Sequence, residues 1–153
     1  MRTIKFRGRL SNGEWRYGDL ITYKSGEAAI ANFSRYGYEC SDMNRVLVGL
    51  KTVGQFTGLF DEDGREIYEG DIIKIVEEFD DENVYTRNGV VCFAEGIFEL
   101  QDKNGKHFAY LGWMQNDDAI TKLEVVGNIH DTTTKKCWRK EATNEKESSI
   151  CRP

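Results

Sequence analysis

The fold is decided by residues 54–76, GQFTGLFDEDGREIYEGDIIKIV, which combine two turn signals with two apolar runs. Asp63-Gly64 predicts a tight turn, because Gly tolerates a positive φ angle and Asp can bond to its own backbone. The run IIKIV at 72–76 follows a second break, EGD, and its β-branched residues favour a strand over a helix. Both faces of that strand are largely apolar, so we expect it in the middle of a sheet or barrel.

Further chain reversals are marked by Asn or Asp followed by Gly. The four dipeptides are Asn12-Gly13, Asp63-Gly64, Asn88-Gly89 and Asn104-Gly105. Each is flanked by residues suited to strands, which predicts hairpins. The best helix candidate is 113–121, where NDD at 116–118 supplies capping side chains. The sequence therefore predicts a mainly β fold with several hairpins and at most one or two short helices.

The remaining stretches give a coarse strand map. Strands are predicted at 3–9, at 15–17, at 20–23 after a break at Gly18-Asp19, and at LEVVGNI, 123–129, where Gly127 permits a bulge. The acidic run EEFDDE at 77–82 is typical of a solvated loop between strands. NGEWRYGDLI at 12–21 resembles DGREIYEGDII at 63–73. An old duplication and the same turn-and-strand corner used twice both account for that echo.

Charge and composition restrict the partners and the compartment. The net charge is −5 and the pI about 5.2, whereas sequence-independent binding to nucleic acid needs the opposite sign. No apolar run is long enough for a membrane span, and the first ten residues do not resemble a signal peptide, so we expect a cytoplasmic protein. The four cysteines form no close pair, which argues against a zinc site and favours reduced thiols.

The sequence contains no known motif for catalysis or for cofactor binding. We therefore predict no catalytic residue, no bound cofactor and no metal site. Both histidines, His107 and His130, are expected at the surface or at strand ends, so an enzyme using carboxylates is the least supported function. Most aromatic residues are expected in the core, but some suit an exposed binding face. The candidate interaction surface comprises Arg7, Arg9, Trp15, Arg16, Tyr17, Tyr68 and Trp113.

Four blocks of the sequence carry a family resemblance. They are MRTIKFRG at 1–8, GEWRYGDLI at 13–21, QFTGLFDEDGREIYEGDIIKI at 55–75 and LEVVGNIHD at 123–131. Together they resemble the YopX-like family of phage and prophage proteins over about residues 1–131. The resemblance implies a β-rich fold with an SH3-like, partly open barrel and a phage or prophage origin. It implies no activity, cofactor or site residue, because the family has no established function.

Two functional hypotheses follow. The first is a non-catalytic module that binds a host or phage protein in the bacterial cytoplasm, with a homo-oligomer as a further form. The second is a nucleic-acid-binding barrel, in which Lys5, Arg7 and Arg9 alternate along the first strand and form a basic strip with Arg2 and Arg16. One β domain over 1–131 and two small barrels at about 1–50 and 51–131 fit equally well. Residues 132–153 are expected to be a polar tail that is frayed or weakly helical.

Overall fold

The computed structural model describes residues 3–32, 44–80, 83–114 and 120–131. It divides the chain into two compact units, Met1–Leu59 and Phe60–Pro153. Both units consist mainly of antiparallel β-strands, which confirms the predicted fold class. Within the described ranges, no helix has the length and apolar character needed to cross a membrane.

The N-terminal unit is an antiparallel sheet. Its elements are β1 (Phe6–Arg9), β2 (Trp15–Thr22), β3 (Ala28–Asn32), β4 (Asn44–Val48), a 3-10 turn (Leu50–Thr52) and β5 (Gly54–Phe60). The strands lie in the order β4-β3-β2-β1-β5, so the last strand returns to pair with the first. Small apolar side chains of β3 and β4 form the core with Phe6, Leu10, Leu20 and Val53.

This sheet curls until the end of β4 meets β1. A Cβ on Gly8 would lie 2.6 Å from a methyl group of Val48, so only glycine fits there. The Gly49 N–H donates to the Arg9 carbonyl at 2.9 Å, and the Arg9 N–H donates to Thr52 Oγ1 at 2.8 Å. No described strand pairing joins β4 to β5, so these residues do not form a closed barrel, and the SH3-like barrel stays a prediction.

The C-terminal unit repeats the same order of connections. Its elements are β6 (Glu66–Tyr68), β7 (Asp71–Asp80), β8 (Asn83–Ala94), β9 (Ile97–Gln101), β10 (His107–Tyr110), α1 (Leu111–Met114) and β11 (Ile120–Asn128). The main sheet runs β10-β9-β8-β7-β11. As predicted, the strand that contains 72–76 is central, since β7 pairs with both β8 and β11. Its Ile73 and Ile75 lie in the core with Val91 and Leu100.

Three of the four predicted reversals are confirmed, and they share one turn geometry. Gly13, Gly64 and Gly105 have positive φ angles of 91°, 77° and 76°. Each donates its N–H to the carbonyl three residues earlier, at 2.9–3.0 Å. Gly26 makes the same turn, which was not predicted from the sequence because the residue before it is neither Asn nor Asp.

The fourth predicted reversal is wrong. Asn88-Gly89 lies inside β8, where both residues pair with β7. Gly89 is required for close packing rather than for a turn, because a Cβ there would lie 2.7 Å from the ring of Phe108. A glycine inside a strand often marks such a close approach.

Two predicted breaks also prove to be strand. Gly18 continues β2 and pairs with Phe6, at a φ of 153°. In the acidic run, Glu77 and Glu78 belong to β7 and pair with Tyr85 and Val84 of β8, so much of the expected loop is a hairpin arm. The helix begins at Leu111, before its expected start, and the last two residues of the stretch predicted as helical, Ile120 and Thr121, belong to β11. The predicted cap at 116–118, Arg2 and the tail at 132–153 lie outside the described residues.

The internal echo links strands that occupy different positions. NGEWRYGDLI falls on the first turn and on β2, the second strand of its unit. DGREIYEGDII covers β6 and the start of β7, the first strand of the meander in the second unit. The sequence echo is therefore out of register with the repeated strand order.

Candidate interaction surfaces

The sequence block at 55–75 contains a buried carboxylate, Asp71, that accepts two hydrogen bonds. We call Asp71 with its donors Tyr68 and Asn128 the clasp. The Tyr68 N–H donates to Asp71 Oδ2 at 2.8 Å, and Asn128 Nδ2 donates to Asp71 Oδ1 at 3.3 Å. Asp71 is only 1 % exposed and pairs with Asn128 across β7 and β11. Gly70 precedes it with a φ of 82°, and a Cβ there would lie 3.3 Å from the Asn128 amide. The Gly-Asp pair therefore has a structural role, which the sequence alone did not reveal.

A second buried carboxylate secures the turn before β6. Asp61 Oδ1 accepts hydrogen bonds from the backbone N–H groups of Asp63 and Arg65, at 3.1 and 2.7 Å. Its Oδ2 accepts from the Val125 N–H at 3.1 Å, and Arg65 Nη1 donates to the Val125 carbonyl at 3.0 Å. The blocks at 55–75 and 123–131 thus meet through polar groups bonded to the backbone, so these acids act as structural acceptors.

The predicted basic strip of the N-terminal unit is a stack of cations on aromatic rings. Arg7 and Arg9 lie over the ring of Trp15, with their guanidinium carbons 4.6 and 5.8 Å from its centroid. Lys5 lies over Phe56 at 5.0 Å. Arg9 also donates from Nε to the Gly13 carbonyl at 2.8 Å, which ties the strand to its own turn. Arg7 is 7 % exposed, so its charge is largely withdrawn from an external partner.

The structure places three other residues of the predicted interaction surface in different surroundings. Arg16 alternates with Trp15 along β2 and forms an ion pair with Glu14 at 3.3 Å. Tyr17 is opposite Arg7 and is 44 % exposed. Tyr68 is 1 % exposed and donates from its hydroxyl to Glu66 at 2.7 Å, so it belongs to the core and its assignment to a surface is corrected. The structure therefore brings Arg7, Arg9, Trp15 and Tyr17 to one face of the β1–β2 pair, while Arg16 alternates to the other face.

Trp113 is the most exposed large hydrophobic residue of the described chain, at 73 %. Its ring packs edge-on against Tyr110, with centroids 4.8 Å apart, and Tyr110 packs on His107 at 4.5 Å. Tyr110 ends β10 and α1 begins at the next residue, so the helical turn places Trp113 three residues on, beside Tyr110. We call His107, Tyr110 and Trp113 the aromatic patch.

A buried carboxylate supports the aromatic patch from the neighbouring strand. His107 Nδ1 lies 3.1 Å from Glu99 Oε2, and Gln101 Nε2 donates to Glu99 Oε1 at 2.8 Å. Glu99 is paired with Tyr110 across β9 and β10. Sequence reasoning selected Trp113 but missed its neighbours, because a register shift between His107 and Ala109 decides which side chains share the face.

The titratable groups with shifted pKa values lie on different elements. Burial first, and then the charges of Glu69 and Glu99, raise the pKa of the Cys92 thiol. Backbone hydrogen bonds, the largest from Lys106, lower the pKa of Asp102 in its exposed turn. Hydrogen bonds to Glu124 and Glu62 raise the pKa of Lys122. Across the part of the chain that the structure covers, no three His, Cys, Asp or Glu side chains are placed to bind a metal.

Charge is segregated along the chain. Residues 1–59 carry nine Lys and Arg against five Asp and Glu, a formal charge of +4. Residues 60–131 carry six against eighteen, a formal charge of −12. Residues 132–153 carry six against three, or +3, which completes the net charge of −5. The overall value conceals a strongly acidic C-terminal unit, and the aromatic patch belongs to that unit.

Comparison with known proteins identifies the family. The family described as YopX protein matches residues 5–135, which is most of the chain. No curated protein matches the sequence.

Proposed function

The chain belongs to the YopX protein family, and from that premise we propose that it is a non-catalytic protein-interaction module encoded by a phage or prophage. The observation that carries the proposal is the exposure of Trp113 at the edge of the aromatic patch. Tryptophan is rarely left in solvent, and it is enriched among the residues that dominate binding energy at protein interfaces. The module acts in the cytoplasm of the bacterial host.

A non-catalytic role is supported by what the buried acids do. Asp61 and Asp71 accept hydrogen bonds from backbone and amide groups inside the fold. A general acid or base needs a positioned and accessible carboxylate with a shifted pKa. The acid with a lowered pKa, Asp102, caps an exposed turn instead.

The scaffold proposed for this module is an SH3-like, partly open barrel with additional hairpins over residues 1–131, either as one β domain or as two small barrels. It is supported by the strand order β4-β3-β2-β1-β5, by the 3-10 turn before β5 and by the contact of Gly8 with Val48. Small barrels of this type serve many unrelated functions, so the function still has to be argued from the surface.

Nucleic acid is the second candidate partner. It is favoured by the +4 charge of residues 1–59 and by the alternation of Lys5, Arg7 and Arg9 on one face of the first strand. It is weakened by the geometry, because Arg7 is buried against Trp15 and is poorly placed to neutralise a phosphate. Protein binding is therefore the preferred function.

Affinity capture from bacterial lysate tests the two candidates together. Tagged wild-type protein and the variants Trp113→Ala and Tyr85→Ala are compared with and without nuclease, and the captured proteins are identified by mass spectrometry. We expect a specific protein that survives nuclease and is lost with Trp113→Ala but retained with Tyr85→Ala, which removes an exposed aromatic ring outside the aromatic patch. Partners that disappear with nuclease would favour nucleic acid as the ligand. If Trp113→Ala captures the same proteins as the wild type, the proposed surface is rejected.

A further inference from the structure

We infer that the aromatic patch binds a basic polypeptide segment, with an Arg or Lys side chain placed over the ring of Trp113. This inference rests on the proposed interaction function and names the chemistry of its partner. A cation over a tryptophan ring is attracted by the ring quadrupole, and tryptophan is the best of the aromatic side chains for this contact.

The same chain already makes this pairing at its other described tryptophan. Trp15 carries two guanidinium groups, from Arg7 and Arg9. In the C-terminal unit, Arg87 stacks on Phe108 at 4.6 Å. Among the described residues no cation of the chain lies over Trp113, whose ring contact is with Tyr110 alone. An external guanidinium or ammonium would complete at Trp113 the arrangement that Trp15 achieves internally.

The charge of the unit complements a basic partner. Residues 60–131 carry a formal charge of −12 and residues 132–153 carry +3, so the unit as a whole carries −9, and two of its described cations are paired within it. Arg87 is paired with Glu77, and Lys122 with Glu62 and Glu124. Such a surface attracts cations and repels acidic segments, which sets both association rate and specificity.

The experiment measures the binding of three short synthetic peptides to the full chain by fluorescence anisotropy. In the labelled probe Arg alternates with Gly, and in the two matched controls Gln or Glu replaces Arg. We expect the Arg peptide to bind, with affinity falling as salt rises, and the other two to bind far more weakly. Trp113→Ala should weaken binding about 2- to 30-fold, the range for a cation–π contact. Trp113→Phe should retain part of the affinity, and Tyr85→Ala, which removes an exposed ring of the same unit outside the aromatic patch, should retain all of it.

The outcomes separate this inference from the proposed function. Equal binding of the Arg peptide by Trp113→Ala and wild type would overturn the inference, since charge alone would account for the affinity. Binding of the Gln or Glu peptide that depends on Trp113 would also overturn it, while the proposed interaction surface would stand. If no peptide binds in a Trp113-dependent manner, the inference is rejected. The proposed function is tested separately by affinity capture, and it is rejected if Trp113→Ala also captures the same proteins as the wild type.

Discussion

Removing the carboxylate of Asp71 should unfold the C-terminal unit at markedly lower denaturant. The perturbation is Asp71→Ala, with Asp71→Asn as the isosteric variant. In the folded protein this buried carboxylate accepts from the Tyr68 N–H and from the Asn128 amide. Alanine takes this acceptor from both donors and leaves a gap at the junction of β7 and β11.

The magnitude follows from the two hydrogen bonds. A buried donor deprived of its acceptor costs about 1–3 kcal/mol, and bonds to charged groups lie in the upper part of that range. Part of this loss is offset, because the variant no longer buries a charge. We therefore expect Asp71→Ala to lower the free energy of unfolding by about 2–4 kcal/mol.

The asparagine variant tests which part of the clasp matters. It retains one oxygen for the Tyr68 N–H but turns an NH2 group towards the amide of Asn128. Asn128 cannot flip to relieve this without losing its bond from the His130 N–H, which its Oδ1 accepts at 2.8 Å. A smaller loss of about 1–2 kcal/mol is expected for Asp71→Asn.

Urea unfolding followed by far-UV circular dichroism provides the assay, because the loss of the strands of the C-terminal unit, β7 and β11 among them, changes that signal. At a dependence of about 2 kcal/mol per molar urea, typical of small proteins, Asp71→Ala should lower the midpoint by about 1–2 M. Asp63→Ala, an exposed acid of the same unit, is the control and should leave the midpoint nearly unchanged. If Asp71→Ala and Asp63→Ala unfold at the same urea concentration, the clasp has no stabilising role.

Three further predictions concern single positions. Gly89→Ala should destabilise the protein by about 1–3 kcal/mol because its Cβ would overlap a packed aromatic ring, whereas Gly112→Ala, which meets open space in α1, should be neutral or slightly stabilising; thermal unfolding compares the two. In a variant whose other three cysteines are replaced by serine, the reaction of Cys92 with iodoacetamide should have a higher pH midpoint in the folded protein than in denaturant. Glu99→Gln should lower the midpoint of the folded protein, because it removes a negative charge that raises the pKa of the thiol. Unchanged midpoints would contradict the effect of burial and charge on this pKa. The pKa of Asp102 is lowered by folding, so its contribution to stability is present above the pKa of the unfolded chain and is lost as the pH falls through the lower pKa of the folded protein. In NMR, the carboxyl carbon of Asp102 should therefore titrate at a lower pH midpoint than the same residue in a model peptide.

Much of the fold follows from local sequence patterns. The β-branched run at 72–76 becomes the central strand β7, because both of its faces are apolar. Three of the four Asn-Gly and Asp-Gly dipeptides make turns, because the glycine adopts a positive φ that other residues resist. The bulge expected at Gly127 is present as a register shift after Val125. Turn chemistry and side-chain alternation act over a few residues, so they can be recognised without knowledge of distant neighbours.

The functions of individual side chains were settled by contacts distant in sequence. Gly89 is needed by the ring of Phe108, which no local pattern reveals. Tyr68 was assigned to a surface but is covered in the core, whereas Trp113 is left in solvent although both are large aromatics. Asp71 is a structural acceptor because β11 brings Asn128 beside it from 57 residues away.

The sequence by itself determined the class of fold, three of the four predicted turns and the family. Only the tertiary structure decided that the acids of the family blocks are structural, that Arg7 and Arg9 stack on Trp15, and that Trp113 forms a patch with Tyr110 and His107. The physical reason is one of range. Backbone preferences are fixed by neighbours along the chain, whereas exposure and charge pairing depend on strand register, and a shift of one residue moves a side chain to the opposite face of its sheet.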